Sequence, residues 1–448
     1  MTPAGWTRSC AARLEAARPG VALLALAACG VARPAGAPAT ADTEIGAMAR
    51  AASAERVERD VAALVAFRNR NTCGTGVERA RAFVAARFAS LGLRVLEDEF
   101  EAPCAAPVKR HSVIGVLPGR DPTRLVLLGG HYDSRTVDRN DGTSDAPGAN
   151  DSGSQTALVL EAARLMAGHA YETSVAFVAF AGEEQGLLGS KSVAAHLATL
   201  FPGATLEAML DCDIVGGDKT ANDDLGLRKY RLYAPGAPRE TGKDTPDGPT
   251  DGTSPSRLLQ RYIALTSRAY VPEMEVVAMR REDRPGRGGD HQPFIDLGLP
   301  GVRFIETYET LAHQHSPDDV LAYVTPAYTA RMTAVVVSSL ASLARAPRPP
   351  RGLVARRETS RVSLAWERAP VDHWIASIRV IGSPASWSVV VDRDHAATSF
   401  DLGALRPPLY VTVQAVSGGH ASLYAPEWRC DDATCAVPIT PADVVRKL

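Results

Sequence analysis

The middle of the chain alternates between short apolar runs and longer stretches in which apolar residues recur with helical spacing. Continuous apolar runs are typical of strands in a parallel sheet that is covered on both faces. We predict such strands at Leu125–Leu128, Val175–Phe180, Met209–Leu210 and Gly301–Ile305. Helical spacing is found over Gln155–Met166, Leu258–Ser267 and Pro326–Ala344. This order predicts the α/β class, a three-layer sandwich with a mostly parallel central sheet, over residues 44–344.

Two further segments of this region have recognisable patterns. From Glu44 to Leu91 the apolar spacing predicts helices, and Leu93–Glu99 alternates like a strand. The segment Gly216–Ser256 is rich in Asp, Gly, Pro and Thr and is too long for an ordinary connection. We predict that it is a long loop over the site or a disordered insert.

The pattern changes after a Pro-rich stretch at residues 345–351, which we predict to be a linker. Short alternating strands follow and predict a small C-terminal β-sandwich over residues 352–448. The opening Pro350–Leu353, the early Trp366 and the late Tyr410–Val416 resemble a fibronectin type III domain.

Residues 1–29 differ from the rest, because several arginines precede the short apolar run Val21–Ala28. This is typical of an export signal, and the run is shorter than the roughly 20 apolar residues that span a bilayer. Leu26-Ala-Ala-Cys29 resembles the lipobox of bacterial lipoproteins, which implies membrane attachment through a lipidated Cys29. The alternative is an ordinary signal peptide, cleaved in the Ala- and Pro-rich stretch within the predicted linker 30–43. Both predict export to the cell envelope or secretion.

Composition narrows the class of partner. Hydrophobic residues make up 45% of the chain, charged residues 22%, and the formal net charge is -2. These values are typical of a soluble globular protein and provide no basic excess for nucleic acid, which we exclude as a partner. The oligomeric state is not indicated.

Export to an oxidising compartment permits disulfides. Cys430 and Cys435 are close enough in sequence to pair locally, and Cys73 can pair with Cys104. Cys212 lies in an apolar strand pattern, where we expect a buried thiol.

Acidic and histidine side chains fall at the carboxyl ends of the predicted strands, where ligands bind in sheets of this kind. Imidazole nitrogens and carboxylate oxygens are zinc ligands, and a hydrolytic site leaves one position open for water. Two zinc ions that share a carboxylate can hold a nucleophilic hydroxide and polarise a scissile carbonyl together. A further side chain must then move the proton. The candidates are His131, Asp133, Asp151, Glu183, Glu184, Asp213, His315 and Asp319.

These candidates lie in a set of motifs that occur in a fixed order between Ser53 and Leu343. The motifs are Gly130-His131-Tyr-Asp133-Ser, Ala146-Pro-Gly-Ala-Asn150-Asp151-Ser-Gly, Phe180-Ala-Gly-Glu183-Glu184-Gln-Gly-Leu-Leu-Gly189-Ser, Asp213-Ile-Val-Gly216, Gly289-Asp290-His291-Gln-Pro-Phe294 and His315-Ser-Pro-Asp-Asp319. Together they resemble the bridged two-zinc exopeptidase family. That family includes secreted bacterial leucine aminopeptidases, glutamate carboxypeptidases and glutaminyl cyclases.

The resemblance implies a metal centre with two Zn²⁺ ions per chain. It assigns His131 and Asp213 to one ion, Glu184 and His315 to the other, and Asp151 to both as the bridging ligand.

The resemblance also implies a catalytic pair, Glu183 and Asp133. Glu183 is the general base, and Asp133 orients the His131 imidazole, as Asp319 is expected to do for His315. Adjacent residues at a strand end point in opposite directions, which favours different roles for Glu183 and Glu184.

Two of the predicted ligands have neighbours that compete with them. We favour Asp213 over Asp211 because it precedes Ile-Val-Gly, as the ligand does in the family. We favour His315 over His313 because an acidic residue follows His315 at the fourth position.

The substrate pocket is less well defined by the sequence. Asp290 and His291 fall in a motif that borders the pocket in the family, although Asp290 also suits a helix cap. Arg284 and Arg287 suit either a pocket loop or a solvated basic turn. Gln314 stands where some secreted aminopeptidases have a Tyr, so oxyanion stabilisation is expected from the zinc ions or from another donor such as His291.

The predicted function is that of an exported, zinc-dependent aminopeptidase that hydrolyses N-terminal residues from peptides, with Glu183 as the base. A carboxypeptidase or dipeptidase of the same fold is the first alternative, and arginines near residue 280 favour it. A glutaminyl cyclase fits less well, and a zinc-free binding protein is the alternative from a different class.

Overall fold

The computed structural model describes residues 32–33, 42–235, 254–283, 288–358, 361–380, 389–394, 396–401, 408–431 and 434–437. The predicted export signal and Cys29, most of the linker 30–43, and Arg284 and Arg287 lie outside the described residues. The chain forms two compact units, and the boundary between them falls between Arg345 and Ala346. The first strand, β1 (Ala32–Arg33), belongs to the smaller unit and is described with it.

The larger unit is built around an eight-stranded sheet. Its strand order is β2-β3-β5-β4-β6-β9-β7-β8. The pairings β5-β4, β4-β6, β6-β9 and β7-β8 are parallel, and the others are antiparallel. The strands are β2 (Arg94–Ala102), β3 (Val108–Leu117), β4 (Asp121–His131), β5 (Thr173–Phe180), β6 (Thr205–Cys212), β7 (Lys229–Tyr233), β8 (Glu275–Met279) and β9 (Gly301–Glu306).

Helices cover both faces of this sheet. They are α1 (Thr43–Arg50), α2 (Ala54–Val65), α3 (Gly76–Ser90), α4 (Gln155–Met166), α5 (Leu188–Ala195), α6 (Leu197–Leu200), α7 (Pro255–Tyr270), α8 (Gln292–Asp296) and α9 (Pro326–Arg345). Leu125 and Leu127 of β4 pack with Phe294 of α8 in one core cluster. Val126 and Leu128 are also buried and face the opposite side of the sheet, where α4 and α9 contact β4. Burial on both faces explains why β4 has a continuous apolar run.

The predicted α/β class and its covered, parallel sheet centre are confirmed, and the sheet as a whole is mixed. The edge strand β2 was predicted from the alternation Leu93–Glu99, whereas the antiparallel strand β3 and the edge strand β8 were not predicted. The interpretation of Gly216–Ser256 as one long loop was wrong for Lys229–Tyr233, which forms β7. Tyr230 and Leu232 alternate inward there, a short period-two pattern that the surrounding polar residues obscure. Residues 236–253 of that segment lie outside the described residues.

The smaller unit consists of two antiparallel sheets. One has the order β1-β13-β12-β15-β17-β18, with β16 paired to β15, and the other has the order β10-β11-β14. Trp366 follows β11 and packs on Trp374 of β12 at a ring-centroid distance of 5.6 Å, in a core shared by both sheets. The strands are β10 (Val354–Glu358), β11 (Arg361–Ala365), β12 (His373–Val380), β13 (Val389–Asp394), β14 (Ser399–Asp401), β15 (Leu409–Ser417), β16 (His420–Ala421), β17 (Trp428–Cys430) and β18 (Cys435–Ala436). The fibronectin type III resemblance remains a prediction.

Both predicted disulfides are confirmed. Cys73 is bonded to Cys104, and Cys430 is bonded to Cys435. Cys212 is a free, buried thiol, as expected. None of the helices in the described part of the chain is long and apolar enough to cross a membrane.

Candidate metal centre

The candidate ligands meet at the carboxyl edge of the parallel strands. His131 is the last residue of β4, Glu184 follows β5, and Asp213 follows β6. Asp151 lies in a tight turn that leads into α4, and His315 lies in the loop between β9 and α9. Parallel strands end at one edge of a sheet, and this brings residues that are distant in sequence together.

Two groups of side chains there share Asp151. In the first group, His131 Nε2 lies 3.3 Å from Asp151 Oδ1 and 3.6 Å from Asp213 Oδ1. In the second group, His315 Nε2 lies 3.2 Å from Asp151 Oδ2 and 3.2 Å from Glu184 Oε1. Each oxygen of Asp151 therefore faces a different histidine.

These spacings fit zinc. Nitrogen and oxygen ligands at 2.0–2.2 Å in a tetrahedral arrangement lie about 3.3–3.6 Å from one another. Asp151 Oδ1 and Glu184 Oε1 are buried and have no hydrogen-bond partner among the described residues. Because a buried carboxylate oxygen that accepts no hydrogen bond is costly, these atoms favour a cation between the ligands.

The electrostatics of the site also favour cations. Although burial opposes protonation, contacts with Asp133, Asp151 and Asp213 raise the pKa of His131 well above its usual value. Burial also acts to lower the pKa of His315, but contacts with Asp151 and Glu184 outweigh it and raise this pKa to about 9. The surrounding carboxylates therefore attract positive charge, which two metal ions would supply in place of protons.

Asp133 connects three of the predicted residues. It is fully buried, and its Oδ1 lies 3.5 Å from His131 Nδ1. Its two oxygens accept the backbone N–H groups of Glu183 and Glu184, each at 3.3 Å. Asp133 thus lies where it can orient the imidazole of His131 and the turn after β5.

Asp319 supports the turn that carries Asp151. Its two oxygens accept the backbone N–H groups of Asn150 and Asp151 at 2.8 and 2.9 Å. Each carboxylate oxygen can accept more than one hydrogen bond, so the orientation of the His315 imidazole by Asp319 stays a prediction. Sequence spacing could not indicate the contact with the Asp151 turn, which joins distant segments.

Glu183 is half-buried beside the two ligand groups and lines the cavity above them. Burial raises its pKa to about 8; His131 opposes this shift, and the carboxylates of Glu184 and Asp213 add to it. Bound cations would oppose the shift. The side chain belongs to neither ligand group and therefore remains available to exchange protons.

The competing neighbours lie outside both ligand groups. Asp211 Oδ2 lies 3.1 Å from His291 Nδ1. His313 Nδ1 lies 2.8 Å from Asp218 Oδ2, and its ring stacks on Tyr323. The structure therefore brings Asp213 and His315, rather than Asp211 and His313, to the centre.

Asp290 and His291, predicted to contact substrate, are both buried. Neither is among the residues that line the cavity at the metal centre. His291 Nδ1 faces Asp211 Oδ2 at 3.1 Å, and its predicted donation to a substrate oxyanion stays a prediction. The next residue, Gln292, is the one on the cavity wall.

The cavity above the ligand groups has a volume of about 340 Å³. Apart from the ligands and Glu183, its lining is mixed in charge: Arg135, Arg139, Gly186, Leu187, Glu282, Gly288, Gln292 and Gln314. Gln314 Nε2 donates to Asp151 Oδ2 at 2.6 Å. Gln314 thus contacts the shared carboxylate.

Three arginines that the sequence did not point to support the site. Arg70 is fully buried and donates to the backbone carbonyls of Tyr132 and Gly148, next to two of the ligand segments. Arg135 Nε donates to Glu184 at 2.6 Å, and Arg303 lies 2.7 Å from Asp213. A lone arginine inside an apolar strand, as at Arg303, is the signal that could have indicated a buried acidic partner.

Backbone strain is concentrated at the same place. Ile214 has φ of 52° and His315 has φ of 58°. A β-branched residue is rarely left-handed, and such conformations persist only where surrounding contacts enforce them. The strain accompanies the turns that present Asp213 and His315.

Comparison with known proteins identifies the family. Residues 112–340 match the model of peptidase family M28. A probable zinc metalloprotease of Leptosphaeria maculans is 35% identical over 343 residues, which are 70% of this chain and 79% of that protein. The chain belongs to peptidase family M28. Membership confirms the predicted enzyme class, a metallopeptidase.

A second fungal protein and two solved structures are also similar to this M28 peptidase. A probable zinc metalloprotease of Pyrenophora tritici-repentis is 34% identical, over 70% of this chain and 72% of that protein. Among solved structures, the Legionella pneumophila LapA aminopeptidase matches with a TM-score of 0.52 at 18% identity, covering 68% of this chain and 75% of that one. An aminopeptidase from Aneurinibacillus sp. strain AM-1 matches with a TM-score of 0.52 at 17% identity, covering 66% and 95%. These two structures share the fold of the larger unit.

Proposed function

We propose that this M28 peptidase is a two-zinc aminopeptidase that removes N-terminal residues from peptides. The observation that carries the proposal is the pair of ligand groups that share Asp151, with the half-buried Glu183 beside them on the cavity wall. The zinc-metalloprotease names of the fungal relatives and the aminopeptidase names of the structural neighbours support it.

Each residue of the ligand groups has a distinct role. His131 and Asp213 would hold one ion, Glu184 and His315 would hold the other, and Asp151, whose oxygens face different histidines, would contribute to both. Two zinc ions in such a site supply an activated water and polarise the substrate carbonyl.

The proton is moved by the protein's own side chain. The Glu183 carboxylate takes a proton from the attacking water and returns it to the amine that leaves when the peptide bond breaks. Asp133 accepts a hydrogen bond from the backbone N–H of Glu183, and this contact keeps the Glu183 carboxylate at the cavity wall. The half-buried position of the Glu183 side chain limits its contact with bulk water.

The substrate's free α-amine is a cation. The acidic groups on the cavity wall, Glu183 and Glu282, attract it, and the peptide then extends away from the metals. A blocked amine removes this attraction.

A second candidate function is that of a carboxypeptidase or dipeptidase. The observation that favours it is the presence of Arg135 and Arg139 on the same cavity wall, where a guanidinium could bind a terminal carboxylate.

Substrates with free and with blocked termini distinguish an aminopeptidase from a carboxypeptidase or dipeptidase. Aminoacyl amides, N-acetylated peptides and free dipeptides are supplied to protein of measured zinc content. Hydrolysis of aminoacyl amides, with N-acetylated peptides resistant, is the expected result. Hydrolysis of N-acetylated peptides alone would overturn the aminopeptidase proposal, and activity that survives complete zinc removal would overturn the metal mechanism.

We also propose that the protein is exported and attached to the membrane through Cys29. The two disulfides support an oxidising compartment. Metabolic labelling with a lipid precursor tests this: the wild-type protein is expected to be labelled and membrane-bound, and Cys29→Ser is expected to be unlabelled. An unlabelled wild-type protein in the culture medium would favour ordinary secretion.

A further inference from the structure

Both ligand groups contain a carboxylate whose second oxygen is held by an arginine. Glu184 Oε1 lies 3.2 Å from His315 Nε2, while Glu184 Oε2 accepts a hydrogen bond from Arg135 Nε at 2.6 Å. On the other side, Asp213 Oδ1 lies 3.6 Å from His131 Nε2, while Asp213 Oδ2 pairs with Arg303 at 2.7 Å. In each of the two carboxylates, one oxygen thus faces a histidine of the ligand group and the other contacts an arginine.

The contacts of Arg135 hold its guanidinium in place against Glu184 Oε2. Its side chain is 13% exposed, and its Nη1 also donates to the backbone carbonyls of Thr136 and Val137 at 3.2 and 3.4 Å. The loop that follows is anchored in turn, because Asn71 Nδ2 donates to the carbonyl of Arg139 at 2.8 Å. The guanidinium therefore has a fixed position relative to Glu184.

Glu184 offers only one oxygen to the metal position. The residue is 6% exposed, and Oε1 is buried with no hydrogen-bond partner among the described residues. A carboxylate with both oxygens free can chelate a cation through both of them. A hydrolytic site, by contrast, needs a free position on the metal for water.

We propose that Arg135 is a positioning residue that occupies Glu184 Oε2, so that Glu184 binds its metal through Oε1 alone and leaves room for water. The inference rests on the two-zinc site proposed above. Arg303 does the same for Asp213 from within the buried strand β9. Arg135 is the testable member of the pair, because it lies at the cavity rather than in the core.

The role depends on geometry as well as charge. A guanidinium presents its N–H groups in a planar fork, whereas an ammonium group is a compact point charge on a flexible stem. A lysine in place of Arg135 keeps the charge and loses the fork. Arg139 provides the matched control, because it is an exposed arginine on the same loop and the same cavity wall.

The test compares Arg135→Met, Arg135→Lys and Arg139→Met with the wild-type protein. Each protein is stripped of metal and reloaded with Zn²⁺ to measure stoichiometry, and with Co²⁺ to record its visible absorption spectrum. The Co²⁺ band weakens as the coordination number rises, so the spectrum reports on how Glu184 binds, independently of activity. Turnover of an aminoacyl amide is measured on the zinc-loaded proteins.

We expect Arg135→Met to bind two ions, to show a weakened Co²⁺ band and to lose turnover by about 10- to 100-fold. Arg135→Lys is expected to show the same spectral change, and it carries the test if Arg135→Met does not fold. Arg139→Met is expected to keep the wild-type spectrum. A wild-type Co²⁺ spectrum in the folded Arg135 variants would overturn the proposal, as would an equal change in Arg139→Met. Fewer than two ions in the wild-type protein would instead overturn the two-zinc function, so the two failures are distinguishable.

Discussion

Asp319 and Asp151 lie 168 positions apart in the chain, yet Asp319 Oδ2 accepts the backbone N–H of Asp151 at 2.9 Å. Its other oxygen accepts the N–H of Asn150 at 2.8 Å. The Asp319 carboxylate therefore fixes the turn that carries Asp151, the residue common to both candidate ligand groups.

Replacing Asp319 is expected to weaken both metal positions at once. Asp319→Ala removes the acceptor for two backbone N–H groups, and we expect it to lower the free energy of unfolding by about 2–4 kcal/mol. Because Asp151 is shared, zinc content should fall for both ions together rather than for one. Chemical denaturation and zinc analysis of the purified protein measure the two effects.

The neighbouring Asp318 is exposed and provides the control. Asp318→Ala is expected to keep wild-type zinc content and stability. If Asp319→Ala kept two ions with full stability, its contact with the Asp151 turn would not matter for the site.

Glu183→Gln separates proton transfer from metal binding. Glu183 belongs to neither ligand group, so the variant should keep both ions. Glutamine cannot accept and return a proton, and we expect turnover to fall by about 100- to 10,000-fold. Zinc analysis and kcat are measured on the same sample. An active Glu183→Gln protein would show that another group acts as the base.

Glu306 is expected to make stability depend on pH. It is fully buried at the end of β9, and burial raises its pKa to about 8, even though Asp218 N–H and Asn150 donate to it. Since the folded-state pKa lies above the unfolded value, the stability from this group is complete below about pH 4.5 and is lost as pH rises towards 8. The loss is at most about 1.4 kcal/mol per pH unit.

Glu306→Gln is expected to remove this part of the pH dependence. The stability of the wild-type protein relative to the variant should fall from pH 5 to pH 8 in urea denaturation series. Glu273→Gln, at an exposed position, should leave the slope unchanged. Parallel wild-type and Glu306→Gln curves would contradict the assignment.

Gln314 is expected to support catalysis through the shared ligand. Its side-chain amide donates to Asp151 Oδ2, and a hydrogen bond to a charged group contributes about 1.5–3 kcal/mol. We expect Gln314→Ala to lower kcat/KM by about 10- to 100-fold while both ions remain bound. Leu311→Ala, which shortens an exposed side chain of the same loop, should have little effect. Equal losses in both variants would point to a general disturbance of the loop.

The sequence predicted the strands that are buried on both faces. Their continuous apolar runs leave little ambiguity, as at β4 and β5, and helix α4 was predicted with the bounds that the structure shows. β7 was missed because Tyr230 and Leu232 alternate over only a few residues within a polar segment. Local pattern is a weak signal when a strand is short and lies near a sheet edge.

The sequence by itself predicted which residues form the candidate metal centre, because His131, Asp151, Glu184, Asp213 and His315 stand at strand ends or in motifs, and the structure brings them together. Only the tertiary structure decided what supports them. In the structure, Asp319 contacts the Asp151 turn, and His291 faces Asp211 and is not among the residues that line the cavity. Arg135 and Arg303 contact the ligand carboxylates. The physical reason is that a ligand's chemistry is a property of its residue type, whereas a supporting contact depends on which distant segments the sheet brings within hydrogen-bonding distance.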